Sequence, residues 1–213
     1  MKQTVIASGN KIILSLCDYS GAWSAPYVRE GYSVVQVDLK LSGLGEWSDN
    51  RLMRVGADVT KWEPPWQPYA VLAAPPCTCF CRAGSRWWFK QDLHGETAQN
   101  IRVFRACLRL CQLATGWWAL ENPPGRHRKL IDELGPPAWQ FQPWEYGDPW
   151  GKQTYIWGTA VKPPVVAPVE PEPTRRTPNG KTQGRIAFMS SSWKAKREET
   201  PAGFARAFAE ANV

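Results

Sequence analysis

Ala74-Pro75-Pro76-Cys77-Thr78-Cys79-Phe80-Cys81 follows directly on the apolar run Tyr69-Ala70-Val71-Leu72-Ala73. That order reads as a buried strand ending in a rigid turn, with a thiol at the strand's carboxyl end. In an open α/β sheet this edge is where ligands bind. Two prolines restrict the backbone of the turn, so Cys77 is aimed rather than loose. A thiolate in that position can attack an electrophilic carbon.

Strand and helix patterns alternate outward from this point. Lys11 to Cys17 reads as a first buried strand, followed by the turn Asp18-Tyr19-Ser20-Gly21. A short helix from Trp23 to Glu30 ends at Gly31. Ser33 to Val37 is a second strand with Asp38 at its end, and Val55 to Val59 a third that ends near Asp58. Tyr69 to Ala73 is the fourth. Ile101, Phe104, Leu108 and Cys111 draw one apolar stripe on a helix from Glu96 to Thr115. Trp117 to Leu120 is a fifth strand, with Glu121-Asn122-Pro123-Pro124-Gly125 as its terminal turn. His127 to Leu134 reads as a helix closed by Gly135.

The pattern changes after Gly135. Pro136 to Trp150 is rich in aromatics and prolines, Thr154 to Gly158 reads as a further strand, and Lys162 to Gly180 is a Pro-rich loop, linker or docking surface. Thr200-Pro201 reads as a helix start, a capping hydroxyl with proline at the first helical position, and the helix runs to Ala211. The whole is an α/β chain with a doubly wound, mostly parallel sheet and helices on both faces. It divides into a core over 1–158, a Pro-rich basic segment over 159–199 and a closing helix over 200–213.

Composition narrows the class. The 213 residues are 43% hydrophobic, which excludes a disordered chain, and the net charge of +7 suggests a polyanionic partner, nucleic acid first. No apolar run reaches the roughly 20 residues of a membrane span. Met1 to Asn10 lacks the apolar core of a signal peptide, so an intracellular protein with reduced cysteines is expected. Cys77, Cys79 and Cys81 alternate, and Cys107 and Cys111 lie one helical turn apart. Neither is the paired spacing of a zinc site, so no metal is expected. The thirteen tryptophans supply core area and, at the surface, faces on which nucleobases stack. His94 and His127 have no evident partner and read as surface residues.

The strand ends carry chemistry. Asp38 stands where a carboxylate grips a ribose diol, Asp58 where an acceptor meets an adenine amino group, and Gly21 lets the backbone approach a ligand. These are parts of a site for a nucleoside-containing cofactor. Cys77 and Glu121 form a second pair. Thiolate attack at position 6 activates a pyrimidine, and a carboxyl on ring nitrogen 3 stabilises the charge that develops. Position 5 then attacks an electrophilic methyl group.

These residues resemble the cytosine-5 DNA methyltransferases, in motif order over nearly the whole chain. Asp18-Tyr19-Ser20-Gly21 is similar to the family's cofactor motif Asp-x-Phe-Ser-Gly. Pro75-Pro76-Cys77 with Phe80 resembles the catalytic Pro-Pro-Cys-x-x-Phe-Ser, and Glu121-Asn122 the Glu-Asn-Val motif. Tyr146-Gly147-Asp148-Pro149 through Gly158 is similar to the Tyr-Gly-x-Pro-Gln…Arg…Gly segment. Thr200 to Ala207 resembles the C-terminal helix that returns to the cofactor site. The closest likeness is to compact forms found in phages and prophages.

The resemblance implies a class I S-adenosylmethionine-dependent, Rossmann-like fold with a reduced recognition region. It implies a cytoplasmic enzyme of a bacterial or phage restriction-modification setting, with DNA as partner and S-adenosylmethionine as cofactor. Cys77 is then the nucleophile and Glu121 the residue on the target cytosine. The cofactor would meet Asp18, Tyr19, Ser20 and Gly21 with Trp23. It would also meet Asp38 with Leu39, Asp58 with Val59, and Pro75. The substrate would meet Pro76, Phe80, Arg82 and Asn122, together with Lys152 and Gln153.

The chain departs from the family at several positions. Cys81 stands in place of Ser and Pro123 in place of Val, and Lys152-Gln153-Thr154 replaces the Gln and Arg residues. Only the segment from Thr159 to Glu199 is left for target recognition. Asn122-Pro123-Pro124-Gly125 also invites an amino-methyltransferase reading, although such loops carry an aromatic residue where this chain has Gly125. The small recognition segment leaves room for an enzyme acting on RNA or a free pyrimidine nucleotide, and the same fold could serve as a non-catalytic DNA-binding module. Arg82, Arg86, Trp87, Trp88 and Lys90 follow Cys77 in a loop expected to close over a flipped base; the alternative is that Trp87 and Trp88 simply pack under the loop. Lys162, Arg175, Arg176, Lys181, Arg185, Lys194, Lys196 and Arg197 are candidates for phosphate contact.

Overall fold

Alternation of apolar side chains along the strands gives the sheet two covered faces. The computed structural model describes residues 11–43, 47–48, 51–171, 175–176, 182–183 and 198–213. The strands are β1 (Ile12–Leu16), β2 (Ser33–Asp38), β3 (Trp47–Ser48), β4 (Leu52–Gly56), β5 (Ala70–Ala73), β6 (Trp117–Asn122), β7 (Trp139–Phe141) and β8 (Thr154–Gly158). They form one eight-stranded sheet in the order β3-β4-β2-β1-β5-β6-β8-β7. The block β4-β2-β1-β5-β6 is parallel, β8 runs antiparallel to β6, and β7 antiparallel to β8. Without the two-residue edge strand β3, this is the strand order of the Rossmann-like class I methyltransferase fold. A separate two-stranded pairing joins β9 (Arg175–Arg176) to β10 (Thr182–Gln183).

The helices are α1 (Ala25–Arg29), α2 (Trp88–Leu93), α3 (Glu96–Cys111), α4 (His127–Leu130) and α5 (Ala202–Ala211), with 3-10 turns at Arg82–Trp87 and Pro143–Tyr146. Ile12, Leu14, Leu16, Val35, Val37, Val71 and Leu120 share one core with Phe104, Cys107 and Cys111 of α3. Ile13, Val34, Leu72, Trp117, Ala119 and Ile156 share the other with Tyr27 of α1 and Phe204 and Phe208 of α5. Phe204 stacks on Phe141 at 3.6 Å between centroids, and Phe208 meets Trp23 and Trp117 edge-on.

Several elements differ from the sequence reading. The third parallel strand lies at Leu52–Gly56, not Val55 to Val59, because its pairing partner β2 fixes the register Val35↔Met53 and Asp38↔Gly56. Asp58 therefore sits in the turn beyond the strand, and Val59 is buried in the core. The fifth strand extends through Asn122, so Glu121 is a strand residue rather than a turn residue. The helix begun at His127 ends at Leu130, and α3 ends at Cys111 rather than Thr115. β7 emerges from the segment read only as aromatic and Pro-rich. α5 starts as expected at the proline, but its N-cap is Pro201 and the Thr200 hydroxyl makes no cap.

Among the described residues, no helix is long and apolar enough to cross a membrane. Nor is any group of three or more His, Cys, Asp or Glu arranged to hold a metal. The first ten residues lie outside the described residues. So do Lys181, Arg185, Lys194, Lys196, Arg197 and the side chains of Arg175 and Arg176.

Candidate active site

Parallel strands deliver their carboxyl ends to one edge, and the side chains collected there come from β1, β2, β4, β5 and β6. Cys77 sits in the loop after β5 and is partly exposed. Glu121 reaches the same place from neighbouring β6, is only 8% exposed, and its Oε2 has no hydrogen-bond partner. Lys152, on the segment entering antiparallel β8, completes the group. Its ammonium draws the Cys77 thiol and the Glu121 carboxyl downward, against larger opposing effects. Burial raises the Glu121 carboxyl above the usual carboxylate range, Lys152 offsets this in part, and Asp18 adds to it. The shift favours the protonated form, in which the carboxyl is a hydrogen-bond donor.

Two loops are locked together beneath this group. Asn122 Nδ2 donates to the Pro75 carbonyl at 2.8 Å, and Asn122 Oδ1 accepts from His127 Nε2 at 2.7 Å. Asn122 thus holds the Cys77 loop to the Glu121 strand from within, and both ends of its amide are engaged inside the protein rather than turned to a substrate. Pro75 is buried at this joint, whereas Pro76 is exposed. Phe80, expected at the substrate, is fully buried and stacks on His127 at 4.9 Å. His127 is accordingly a core residue, not a surface one. The backbone of Arg82 donates to the Pro124 carbonyl, while its side chain is exposed. Cys81 and Gly125 form a β-bridge, and a Cβ on Gly125 would run into the Phe80 carbonyl. No aromatic side chain fits at this position, which removes the feature an amino-methyltransferase loop requires.

The first loop is organised from inside. Asp18 Oδ2 accepts from Ser15 Oγ at 2.8 Å and from Ser24 Oγ at 2.9 Å, so its carboxylate ties β1 to α1 rather than pointing outward. Gln36, fully buried on β2, donates to the carbonyls of Asp18 and Tyr19. Gly21 takes a left-handed φ of +70° above it. Ser20 is exposed, and its Oγ accepts from the Ala22 amide. Trp23, expected near the cofactor, is instead buried against Phe204 and Phe208.

Asp38, Tyr19 and Leu39 form the exposed part of this edge. Asp38 Oδ1 accepts from the Lys40 amide at 2.8 Å, and Oδ2 has no partner among the described residues. Tyr19 and Leu39 are 56% and 75% exposed beside it. Asp58 Oδ1 accepts from the Thr60 amide and hydroxyl, which lowers its carboxyl.

Elsewhere, Gln153 donates to Gln140 Oε1 at 2.8 Å and lines a small cavity of about 120 Å³ with Phe141 and Lys162. In the segment after the thiol loop, Trp87 and Phe89 are exposed, and Trp88 lies under the Arg126 guanidinium at 4.5 Å. His94 is exposed. Gln36, His127 and Cys81 are contributors that sequence reasoning did not single out. Only the departure of Cys81 from the family pattern was visible.

No family model matches the chain, and no curated protein matches it. Among solved structures, one described as the DhpI–SAM–HEP complex aligns over 72% of this chain at 15% sequence identity and a TM-score of 0.31. The chain covers 66% of that protein's length, just under two thirds. So distant a likeness transfers no ligand and no substrate, and the fold assignment stands on the strand order above.

Proposed function

We propose that this chain is an S-adenosylmethionine-dependent methyltransferase that modifies cytosine at ring position 5 in DNA through a covalent adduct on Cys77. The observation that carries the reading is the unpartnered, buried Oε2 of Glu121 beside Cys77 and Lys152. A buried carboxyl without a partner is costly, and a ring nitrogen would satisfy it.

The residues at the β1 and β2 ends fit an adenosyl group. Asp38 offers a carboxylate oxygen to a diol, Tyr19 and Leu39 offer exposed apolar faces to a base, and Gly21 brings backbone close. S-adenosylmethionine, when bound, supplies an electrophilic methyl group. Cys77 attacks as thiolate, its proton released to solvent, and its sulfur bonds to ring position 6 while the electron pair displaced from the 5,6 double bond moves toward nitrogen 3. Glu121 donates its proton to that nitrogen and becomes a carboxylate, which Lys152 stabilises. Position 5 is left nucleophilic. Once position 5 carries the methyl group, nitrogen 3 returns its proton to Glu121; solvent then takes the position-5 proton, whose electron pair re-forms the 5,6 double bond and expels Cys77 as thiolate. The Pro-rich segment 159–199 serves as a reduced recognition region, with its cations on phosphate.

DNA containing 5-fluorocytosine tests this, because the fluorine blocks elimination. Wild type with S-adenosylmethionine should form a stable cross-link, and Cys77→Ser none. Glu121→Gln keeps a donor but cannot pass the proton, so it should bind DNA and cross-link on the order of 10²–10³-fold more slowly. If wild type binds S-adenosylmethionine yet cross-links no DNA, the DNA assignment fails, and fluorinated RNA and free nucleotide become the next substrates to test.

A further inference from the structure

Cys17 follows β1 directly and stands immediately before the first loop, Asp18 to Gly21. Among the described residues it is the one residue other than glycine with a left-handed backbone, at φ +55°. That region is costly for a residue with a Cβ and persists only where the surroundings hold it. Here the Cys17 amide donates to the Val37 carbonyl at 2.8 Å, which ties the end of β1 to β2 beside Asp38. The side chain meets α3, where its sulfur lies 3.7 Å from the Cys107 sulfur in hydrogen-bonding contact. Cys107 is fully buried, and so are Phe104 and Cys111 on the same helix. Cys17 is partly exposed. Neither thiol has a part in the mechanism above.

We infer that Cys17 and Cys107 form an oxidative modification site, with a peroxide as its reactant, whose disulfide weakens the neighbouring cofactor site. Cys17 is the thiol that solvent reaches. Hydrogen peroxide oxidises it to a sulfenic acid, and one water leaves. The Cys107 sulfur then bonds to the Cys17 sulfur, the sulfur–oxygen bond breaks, and a second water leaves. In all, the two thiols lose two hydrogens with two electrons, and one peroxide is reduced to two waters. A dithiol reductant reverses the change by exchange.

The consequence depends on which sulfur can move. The sulfurs stand 3.7 Å apart and a disulfide needs about 2.05 Å, so they must close by roughly 1.6 Å. Cys107 belongs to a helix of 16 residues whose Phe104, Leu108 and Cys111 share one core with Leu14, Leu16, Val37 and Val71. That element is held along its length. Cys17 lies where a strand gives way to a turn, already off the dihedral angles of the strand. The movement therefore falls on Cys17. The chain on one side of it carries Asp18, which Ser15 and Ser24 hold by its carboxylate and Gln36 by its carbonyl. Its own amide is bonded to Val37, next to Asp38. A shift at Cys17 thus disturbs both places offered to an adenosyl group. The modification stands on the thiol contact alone; only its effect on S-adenosylmethionine rests on the methyltransferase reading.

The test treats the full chain with hydrogen peroxide in the absence of reductant, digests it without reduction and maps it by mass spectrometry. A peptide linking Cys17 to Cys107 should appear, and should vanish with dithiothreitol. Calorimetry on the same samples should show S-adenosylmethionine affinity falling roughly tenfold or more on oxidation, within the usual range for one site acting on another, and returning on reduction. Cys107→Ala and Cys17→Ser each remove one partner, so either variant that folds should bind S-adenosylmethionine alike with and without peroxide. Absence of the linked peptide would overturn the inference, as would a link from Cys17 to Cys111 instead. Linked protein with unchanged affinity would overturn the control of the cofactor site. A linked peptide in a protein whose reduced form binds no S-adenosylmethionine would uphold the modification site and reject the methyltransferase reading.

Discussion

His127 shows how much of this site depends on one buried ring. It is 2% exposed, packs against Phe80, Phe104 and Trp157, and its Nε2 donates to Asn122. Burial lowers its imidazolium pKa to about 4 from an ordinary 6.5. Between those values the unfolded chain binds the proton and the folded chain does not. Stability should therefore fall as pH drops from 6.5 toward 4, by roughly 3 kcal/mol in total from this group. His127→Gln keeps a donor for Asn122 and should lack that component. Urea unfolding of both proteins from pH 7.5 to 4 checks this. A stability difference that stays constant across the range would mean that the folded protein accepts the proton.

At the scale of elements, the thiol loop and the β6–α4 loop behave as one unit. Arg126 is the staple. Its Nε donates to the Cys79 carbonyl, and its two terminal nitrogens meet Asp92 of α2 at 2.7 and 2.8 Å. The guanidinium also covers Trp88. The loops meet most closely at Gly125, where even a methyl group collides with the Phe80 backbone. Gly125→Ala should therefore push the thiol loop away from Glu121. The expected cost is about 1–3 kcal/mol, typical of overpacking, with cross-linking through Cys77 to DNA containing 5-fluorocytosine reduced more than the fold is. Hydrogen exchange should show the amides of Phe80, Cys81, Arg82 and Arg126 newly exposed. Unchanged protection there would mean that the two loops are not mechanically joined.

Over the whole molecule, α5 closes one face of the sheet although it comes from the far end of the chain. Phe208 touches Trp23, Trp117 and Trp139, and Gly203 packs so tightly on Tyr146 that a Cβ would meet its carbonyl. The Gly203 amide also donates to Asp148, on the segment that leads to Lys152. The last helix thus helps position a residue of the site. Phe208→Ala should cost about 3–5 kcal/mol and lower the whole unfolding transition in urea. If only α5 frays while the sheet keeps its protection, α5 is an appendage and not part of the core.

The residues by themselves determined the alternating α/β order, the five parallel strands, and the placing of Cys77 and Asp38 at strand ends. Apolar runs, Gly and Pro punctuation and the Pro75-Pro76-Cys77 turn are local signals, and local sterics and burial suffice to set them. Tertiary structure decided the rest. Pairing with β2 shifted β4 and moved Asp58 into a turn. Pairing with β8 drew Glu121 and Asn122 into β6 and made a strand of Trp139–Phe141, which is too short to show a period. Asp18 turned inward and Trp23, Phe80 and His127 became core because their partners, Ser24, Phe208, Phe104 and Asn122, are supplied by other elements. The meeting of Cys77, Glu121 and Lys152 has the same origin. Their contacts are distant in sequence and exist only once the strands carrying them lie side by side.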